Sequence, residues 1–341
     1  MKHWKLASLF VCLVVIGVFL FFSSFTFGQT RPIELTFSGL SPATHANCIM
    51  NNEWAKEIEK RTNGRVKITV FCGGTLTSPD KIYTGVVRGI SDAGYSALGY
   101  SRGKFPLTEV IDLPLGYKSG MAATKLINEY YKRFKPKEFD EVKVMYFHAH
   151  GPGILHTKVP VRRLEDLKGL KIRCTGLSAK VVAALGGTPV AMPVSEAYDA
   201  LSRGVVEGTM LPRETLEGYR LGEVVKFTTE DFGAAYTTGF FTVMNKDKWN
   251  ALSPDIQKII ETINEEWIEK TGRMWDEIDK SGREYILKRG NQIISLSKEE
   301  DERWARAVRP LLDDYVKDMK EKGLPGDEAL KFCLDQLKKL Q

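Results

Sequence analysis

The chain has 341 residues and a formal net charge of +6 at pH 7. That length suggests about two domains. The excess of positive charge is small and spread along the chain without a dense Lys/Arg block, so nucleic-acid binding is not indicated.

The opening MKHWKLASLFVCLVVIGVFLFFSSFTFGQT sets a basic region (Lys2, Lys5) before an apolar run, Leu6 to Phe22, and a small-residue stretch ending near Gly28. This is the layout of a secretory signal over residues 1–28, with Thr26 and Gly28 at −3 and −1 when cleavage falls before Gln29. The apolar run is long for a signal, so an uncleaved N-terminal anchor is the alternative. Cys12 lies inside that run without the small residues that precede a lipid-attachment cysteine. Losing Lys2 and Lys5 with the leader lowers the formal charge from +6 to +4. No later segment is long and apolar enough to span a bilayer. The expected location is the periplasm.

Beyond the leader lie Cys48, Cys72, Cys174 and Cys333, at spacings that fit no zinc pattern. Cys48 opens the first helix and Cys72 closes the second strand, which puts both at one end of the same sheet. In an oxidising compartment they are a candidate disulfide, against two buried free thiols.

Ile33–Gly39 reads as a strand, and a helix follows from His45 to Arg61 with Ile49, Trp54 and Ile58 in its apolar stripe. Arg65–Phe71 alternates as a half-buried strand does. A second helix starts at Ser78-Pro79-Asp80 and stops near Gly89, and Ile90–Ala97 is the third strand. The same β-α-β-α-β order recurs later: strand Leu170–Cys174, helix Ser178–Leu185, strand Pro189–Met192, helix Ser195–Arg203 with Ser195 as its cap, and strand Val205–Leu211. Two such units imply two α/β lobes with parallel cores, and ligands of such sheets lie beyond the carboxyl ends of the strands. Val142–Gly153 reads as a strand running into a Gly/Pro turn that crosses between lobes, and Tyr236–Asn245 as the return crossing. Ser253-Pro254-Asp255 opens a long helix with Ile256, Ile259, Ile260, Ile263, Trp267, Met274, Trp275 and Ile278 on one face and Gly282 as a soft point. Two further helices are expected over Lys298–Lys322 and Asp327–Leu340. The expected division is residues 29–152 with 237–277 in lobe I, 153–236 with 291–330 in lobe II, a lobe-spanning helix over 253–290, and a C-terminal helix end over 331–341.

LEDLKGLKIR (Leu164–Arg173) and LGGTPVAMPVSEAYDALSRGVVEG (Leu185–Gly208) resemble the solute-binding subunits of tripartite ATP-independent periplasmic (TRAP) transporters, the dicarboxylate-binding type. WAKEIEKRTNGRVKITVF and NKDKWNALSPDIQKIIE resemble the same family at the expected places. The resemblance covers residues 31–295. It implies an α/β two-lobed periplasmic binding protein, with a long helix across both lobes, that delivers an organic acid to a sodium-driven membrane permease. A monomer is expected. The resemblance also implies that Arg173, ending the DLKGLKIR run, pairs with the ligand carboxylate, and a guanidinium fork suits that role. In the sialic-acid-binding branch further polar residues hold the sugar acid. The matching positions here are Leu40, Pro79, Ala97, Tyr100, Gly153 and Leu211. Gly153 stands where a second arginine is often found, and Leu211 where an asparagine is often found. A small dicarboxylate would leave its second charge unpartnered. The expected ligand therefore has one carboxylate and an apolar or aromatic body: an aromatic acid, a branched or long oxo acid, or a sterol-like acid.

Tyr95, Ser96 and Tyr100, at the end of the third strand, face the expected cleft, as do Thr175, Met210 and Leu211. Tyr236 lies by the return crossing, and His45 either donates to a ligand oxygen or caps its helix. Glu207 and Glu214 are candidate partners for Arg173 in the empty state. His148 and His150 share a strand face, but no third metal ligand is near in sequence, so strand-end packing is the expectation. The chain lacks G-x-S-x-G, H-E-x-x-H, a phosphate loop and a recognisable cysteine–histidine pair, so neither an enzyme nor a cofactor is expected. The alternatives kept open are the same fold serving a sensor kinase and a periplasmic enzyme.

Overall fold

The computed structural model describes residues 31–341, so the expected leader lies outside the described residues. Eleven strands follow one another: β1 (Ile33–Gly39), β2 (Val66–Phe71), β3 (Ala93–Ala97), β4 (Val142–Ala149), β5 (Ile154–Thr157), β6 (Lys171–Cys174), β7 (Thr188–Ala191), β8 (Gly208–Leu211), β9 (Phe227–Glu230), β10 (Gly239–Asn245) and β11 (Gln292–Ser295). They form a five-stranded sheet in the order β2-β1-β3-β10-β4 and a six-stranded sheet in the order β11-β9-β5-β8-β6-β7. Each sheet is the centre of one lobe.

Neither sheet is wholly parallel. β1 pairs parallel with β3, and β6 pairs parallel with both β7 and β8. The strands that carry the chain between lobes are antiparallel to their neighbours. β10 runs against β3 and β4, and β5 runs against β8 and β9. A chain arriving from the other lobe enters its new sheet from the cleft side, opposite to the strands that end there. The strand expected to run from Val142 into a turn ending at Gly153 is β4, and the chain passes through His150–Gly153 into β5. The two crossings are tied together where Gly153 N–H donates to the Tyr236 carbonyl at 2.8 Å. β5, β9 and β11 have four residues each and lie outside the two repeated units.

Helix Ala46–Arg61 buries Asn47, Cys48, Asn51, Trp54, Ala55 and Ile58. Ile49, expected in that stripe, is half exposed because it lies off this arc. The long helix Pro254–Lys288 has 35 residues and runs unbroken through Gly282; at 1.5 Å per residue it is about 52 Å long. Its early turns put Ile256, Ile260, Ile263 and Trp267 into the core of the first sheet, while Ile286 near its end packs in a cluster with Leu201, Leu211 and Leu216. A Cβ at Gly282 would overlap the Arg213 carbonyl, so this glycine permits a close backbone approach rather than softening the helix.

The helix expected over Lys298–Lys322 is two helices, Lys298–Val308 and Pro310–Glu321, since Pro310 lacks the N–H that would continue the first. The break redirects the chain. Trp304 and Val308 pack in the second lobe, but Tyr315 and Met319 belong to the first core, which corrects the expected placement of residues up to 330 in lobe II. Ser195 makes no capping hydrogen bond; a short turn over Val194–Glu196 precedes the helix Ala197–Ser202 instead.

The sulfurs of Cys48 and Cys72 are bonded, tying the start of helix Ala46–Arg61 to the end of β2, with Cα atoms 6.0 Å apart and 24 residues of separation. Closing a loop of that length restricts the unfolded chain. Cys72→Ala is expected to lower the unfolding free energy by about 3 kcal/mol in chemical denaturation, and reductant is expected to do the same to the natural chain but not to the variant.

Candidate functional site

Between the two sheets lies a cavity with about 460 Å³ of free space, counting the part open at its mouth. Arg173, the third residue of the four in β6, lines it. β6 is flanked by β7 and β8, so Arg173 is held from both sides, opposite Val190 and Thr209. Its side chain is wholly buried. Nε and Nη2 donate to one acceptor, the Met192 carbonyl, at 3.1 and 2.7 Å. Nη1 has no partner. A guanidinium has five N–H groups, so the edge formed by Nη1 and the outer Nη2 N–H is left unmet. No carboxylate lies within salt-bridge distance of it among the described residues. Glu207 instead accepts from the Lys171 N–H, and Glu214 pairs with His45, which overturns both candidate partners for Arg173.

The turn after β7 that holds Arg173 also holds Tyr100. Val194 N–H donates to the Tyr100 hydroxyl at 3.0 Å, two residues beyond the carbonyl that anchors the guanidinium. The phenolic oxygen is thus an acceptor across the cleft, and its own proton is free for another oxygen. Tyr236 is the reverse case, because its hydroxyl donates to the Met210 carbonyl at 2.9 Å. Burial pushes the Tyr236 phenol well up, so it stays a donor.

The first lobe supplies an aromatic wall. Phe240 stacks on His148 at 5.0 Å and on Trp275 at 5.4 Å, and Tyr95 packs against both His148 and Phe240, at 5.2 and 5.7 Å. Tyr95, Phe240 and Trp275 all line the cavity. Burial, followed by the charge of His150, drives His148 down to about 3, and its Nδ1 accepts the Trp275 N–H at 2.9 Å. It behaves as a neutral aromatic plate. His150, pushed down to about 4 by burial, has Nδ1 against the Gly151 carbonyl.

Of the two roles weighed for His45, the structure has the cap: its Nδ1 accepts the Asn47 N–H at 3.1 Å at the start of helix Ala46–Arg61, and its ring lines the cavity. Its Nε2 lies 2.9 Å from Glu214 Oε2. Thr175 and Leu211 also line the cavity.

Two expected residues do not. Successive strand residues point to opposite faces, so with Tyr95 and Ala97 facing the cavity, Ser96 turns away and donates to the Pro79 carbonyl at 2.7 Å. Met210 likewise faces the second-lobe core while Leu211 faces the cavity. Sequence reasoning missed Ser41, Tyr219, Phe240 and Trp275 as lining residues. Trp275 was legible as part of a buried helix stripe, but periodicity does not separate a core-facing residue from a cavity-facing one. Ser41 and Tyr219 carried no signal.

Gly153, where the family often has a second arginine, has a definite neighbour. A Cβ there would overlap the Tyr236 ring. The space for a side chain at 153 is filled by Tyr236, so the two residues form one unit. Gly153→Ala is expected to destabilise the protein by about 1–3 kcal/mol through overpacking. In a Tyr236→Ala background the same substitution is expected to have little further effect, as read by a denaturation double-mutant cycle.

The model of the family described as "Bacterial extracellular solute-binding protein, family 7" matches residues 37–318. A TRAP periplasmic solute-binding protein from Desulfovibrio salexigens, solved as an open complex, is 33% identical, with a TM-score of 0.81 over 90% of this chain and 96% of that one. A marine metagenome TRAP solute-binding protein specific for aromatic acid ligands, in complex with metahydroxyphenylacetate, is 29% identical with a TM-score of 0.87 over 91% of this chain and 99% of that one. A TRAP solute-binding protein from Rhodoferax ferrireducens with copurified benzoate is 29% identical with a TM-score of 0.84 over 90% of this chain and 98% of that one. No helix among the described residues is long and apolar enough to cross a membrane. With this fold, this cleft and these matches, the chain belongs to family 7 of the bacterial extracellular solute-binding proteins, as a TRAP solute-binding subunit and not an enzyme.

Proposed function

We propose that this subunit captures an organic monocarboxylate with an aromatic body in the periplasm, holds its carboxylate on Arg173, and hands it to a TRAP permease for sodium-driven uptake. The observation that carries the reading is the wholly buried Arg173 guanidinium with Nη1 unpartnered. A buried cation without a counter-charge costs several kcal/mol, and a carboxylate on the open Nη1–Nη2 edge relieves that cost with two parallel charge-assisted hydrogen bonds. The free proton of Tyr100, anchored on the same turn, adds a donor. The wall of Tyr95, Phe240 and Trp275 accommodates a flat ring. Two of the similar structures hold an aromatic acid, which supports the ligand class.

Tyr100 and His45 belong to the first lobe, while Arg173, Val194 and Glu214 belong to the second. A ligand touching both sides favours the closed arrangement by its differential affinity. In calorimetry, benzoate and hydroxyphenylacetates are expected to bind stoichiometrically without turnover, and succinate is expected not to bind. Arg173→Ala is expected to weaken benzoate by more than tenfold, the loss of hydrogen bonds to a charged group, with an unchanged circular dichroism spectrum. Unchanged affinity in that variant would remove Arg173 from the site.

A further inference from the structure

Glu214 is a carboxylate in a cavity proposed for an anion, an arrangement that works against simple anion capture. It is nearly buried, at 5% exposure, and it lines the cavity. Its position is fixed by the backbone. It opens the short helix Glu214–Gly218, and its N–H donates to Asp279 Oδ1 on the long helix at 3.2 Å. The nearest arginine in sequence, Arg213, is committed elsewhere, to Glu230 at 2.6 Å and to Asp279 at 3.7 Å. Glu214 therefore has His45 as its sole side-chain partner among the described residues.

The hydrogen-bond pattern states what His45 can offer. Nδ1 accepts the Asn47 N–H, so the ring proton is on Nε2 and is donated to Glu214 Oε2. Glu214 is an acceptor in this pair, and its Oε1 makes no hydrogen bond to any described residue. Around it stand the phenols of Tyr95 and Tyr219. Both are pushed well up, by burial first, with the negative charge of Glu214 pushing in the same direction. Their hydroxyls meet at Ser41 Oγ, at 3.0 and 3.4 Å, rather than at Glu214. The cavity thus combines a cation with a buried, unmet donor group, Arg173 Nη1, and a carboxylate, Glu214, whose Oε1 has no protein partner among the described residues and keeps contact with solvent; Glu214 also borders an outer pocket with Thr44, Ala46, Ile49 and Glu217.

We infer that Glu214 is a specificity-determining residue: its free oxygen accepts a hydrogen bond from a hydroxyl on the body of the ligand, and its charge excludes a second carboxylate. The ligand class is then a hydroxylated aromatic monocarboxylate. The inference rests on the proposal that Arg173 holds the ligand carboxylate. A hydroxyl is the group that fits, because it is a neutral donor, whereas a second anionic group would face Glu214 at close range in a poorly solvated space.

The test is calorimetric titration of the natural chain and of Glu214→Gln with benzoate, 3- and 4-hydroxybenzoate, 3- and 4-methoxybenzoate, and isophthalate. The natural chain is expected to bind at least one hydroxybenzoate about tenfold more tightly than benzoate and than its own methyl ether, which lacks the donor, and to reject isophthalate; tenfold is within the effect of one hydrogen bond to a charged group. Glu214→Gln is expected to bring the affinity ratio of hydroxybenzoate to its methyl ether, and to benzoate, down to about one, and to raise the affinity for isophthalate relative to benzoate. Equal affinity of the natural chain for hydroxy and methoxy acids would overturn the inference without any variant, as would a hydroxyl preference that survives Glu214→Gln. Arg173→Ala keeps the two readings apart. If it abolishes binding of every acid while Glu214→Gln leaves all ratios unchanged, only the inference about Glu214 fails; if it leaves benzoate binding intact, the carboxylate clamp fails and this inference with it.

Discussion

A guanidinium held out of water is the constraint around which this cleft is arranged. Burying Arg173 removes its hydration, and the protein returns only part of that loss through the Met192 carbonyl, which takes two of its N–H groups. The same contact orients the fork, because the edge turned toward Met192 determines which edge is left over. The turn from Met192 to Val194 then has a second task. Its next free N–H engages Tyr100 from the opposite lobe. One short segment after β7 thereby sets the positions of two donors that arise some seventy residues apart in the chain.

The remainder of the cavity is defined by contrast with that charge. Its first-lobe wall is a stack of rings in which a histidine takes part as a neutral plate, kept so by burial and by the Trp275 N–H on its Nδ1. A wall of this kind adds apolar contact without adding charge. Gly153 and Tyr236 extend the same logic at the crossing between lobes, where the ring of one fills the space that a side chain on the other would need. A second cation at 153 is incompatible with Tyr236 in its present place. The pair accounts physically for the departure from the charged pattern seen at this position elsewhere in the family resemblance.

The crossings also tie the two lobes together. Gly153 and Tyr236 are bridged by a backbone hydrogen bond, and the long helix lies along both lobes with its buried face divided between two cores. On the cleft side the lobes also touch, through Tyr100 and Val194, His45 and Glu214, the rings of His45 and Tyr219, and the close approach of Gly99 to Gly176.

Read alone, the sequence determined the periodic elements, the two β-α-β-α-β units, the long amphipathic helix and the placement of Arg173 at a strand end, because each is a local pattern of side chains and turn residues. It did not determine the strands β5, β9 and β11, which lie outside the two repeated units, nor the split at Pro310 as a change of lobe. The facing of Ser96 and Met210 was misassigned because strand parity depends on register, and register is a property of the sheet. Only the tertiary structure decided that Glu214 meets His45 rather than Arg173, that Trp275 and Phe240 wall the cavity, and that Tyr236 fills the space beside Gly153. Each of these joins residues far apart in the chain through burial and hydrogen bonding, and no spacing along the sequence encodes which of several compatible partners a buried group will meet.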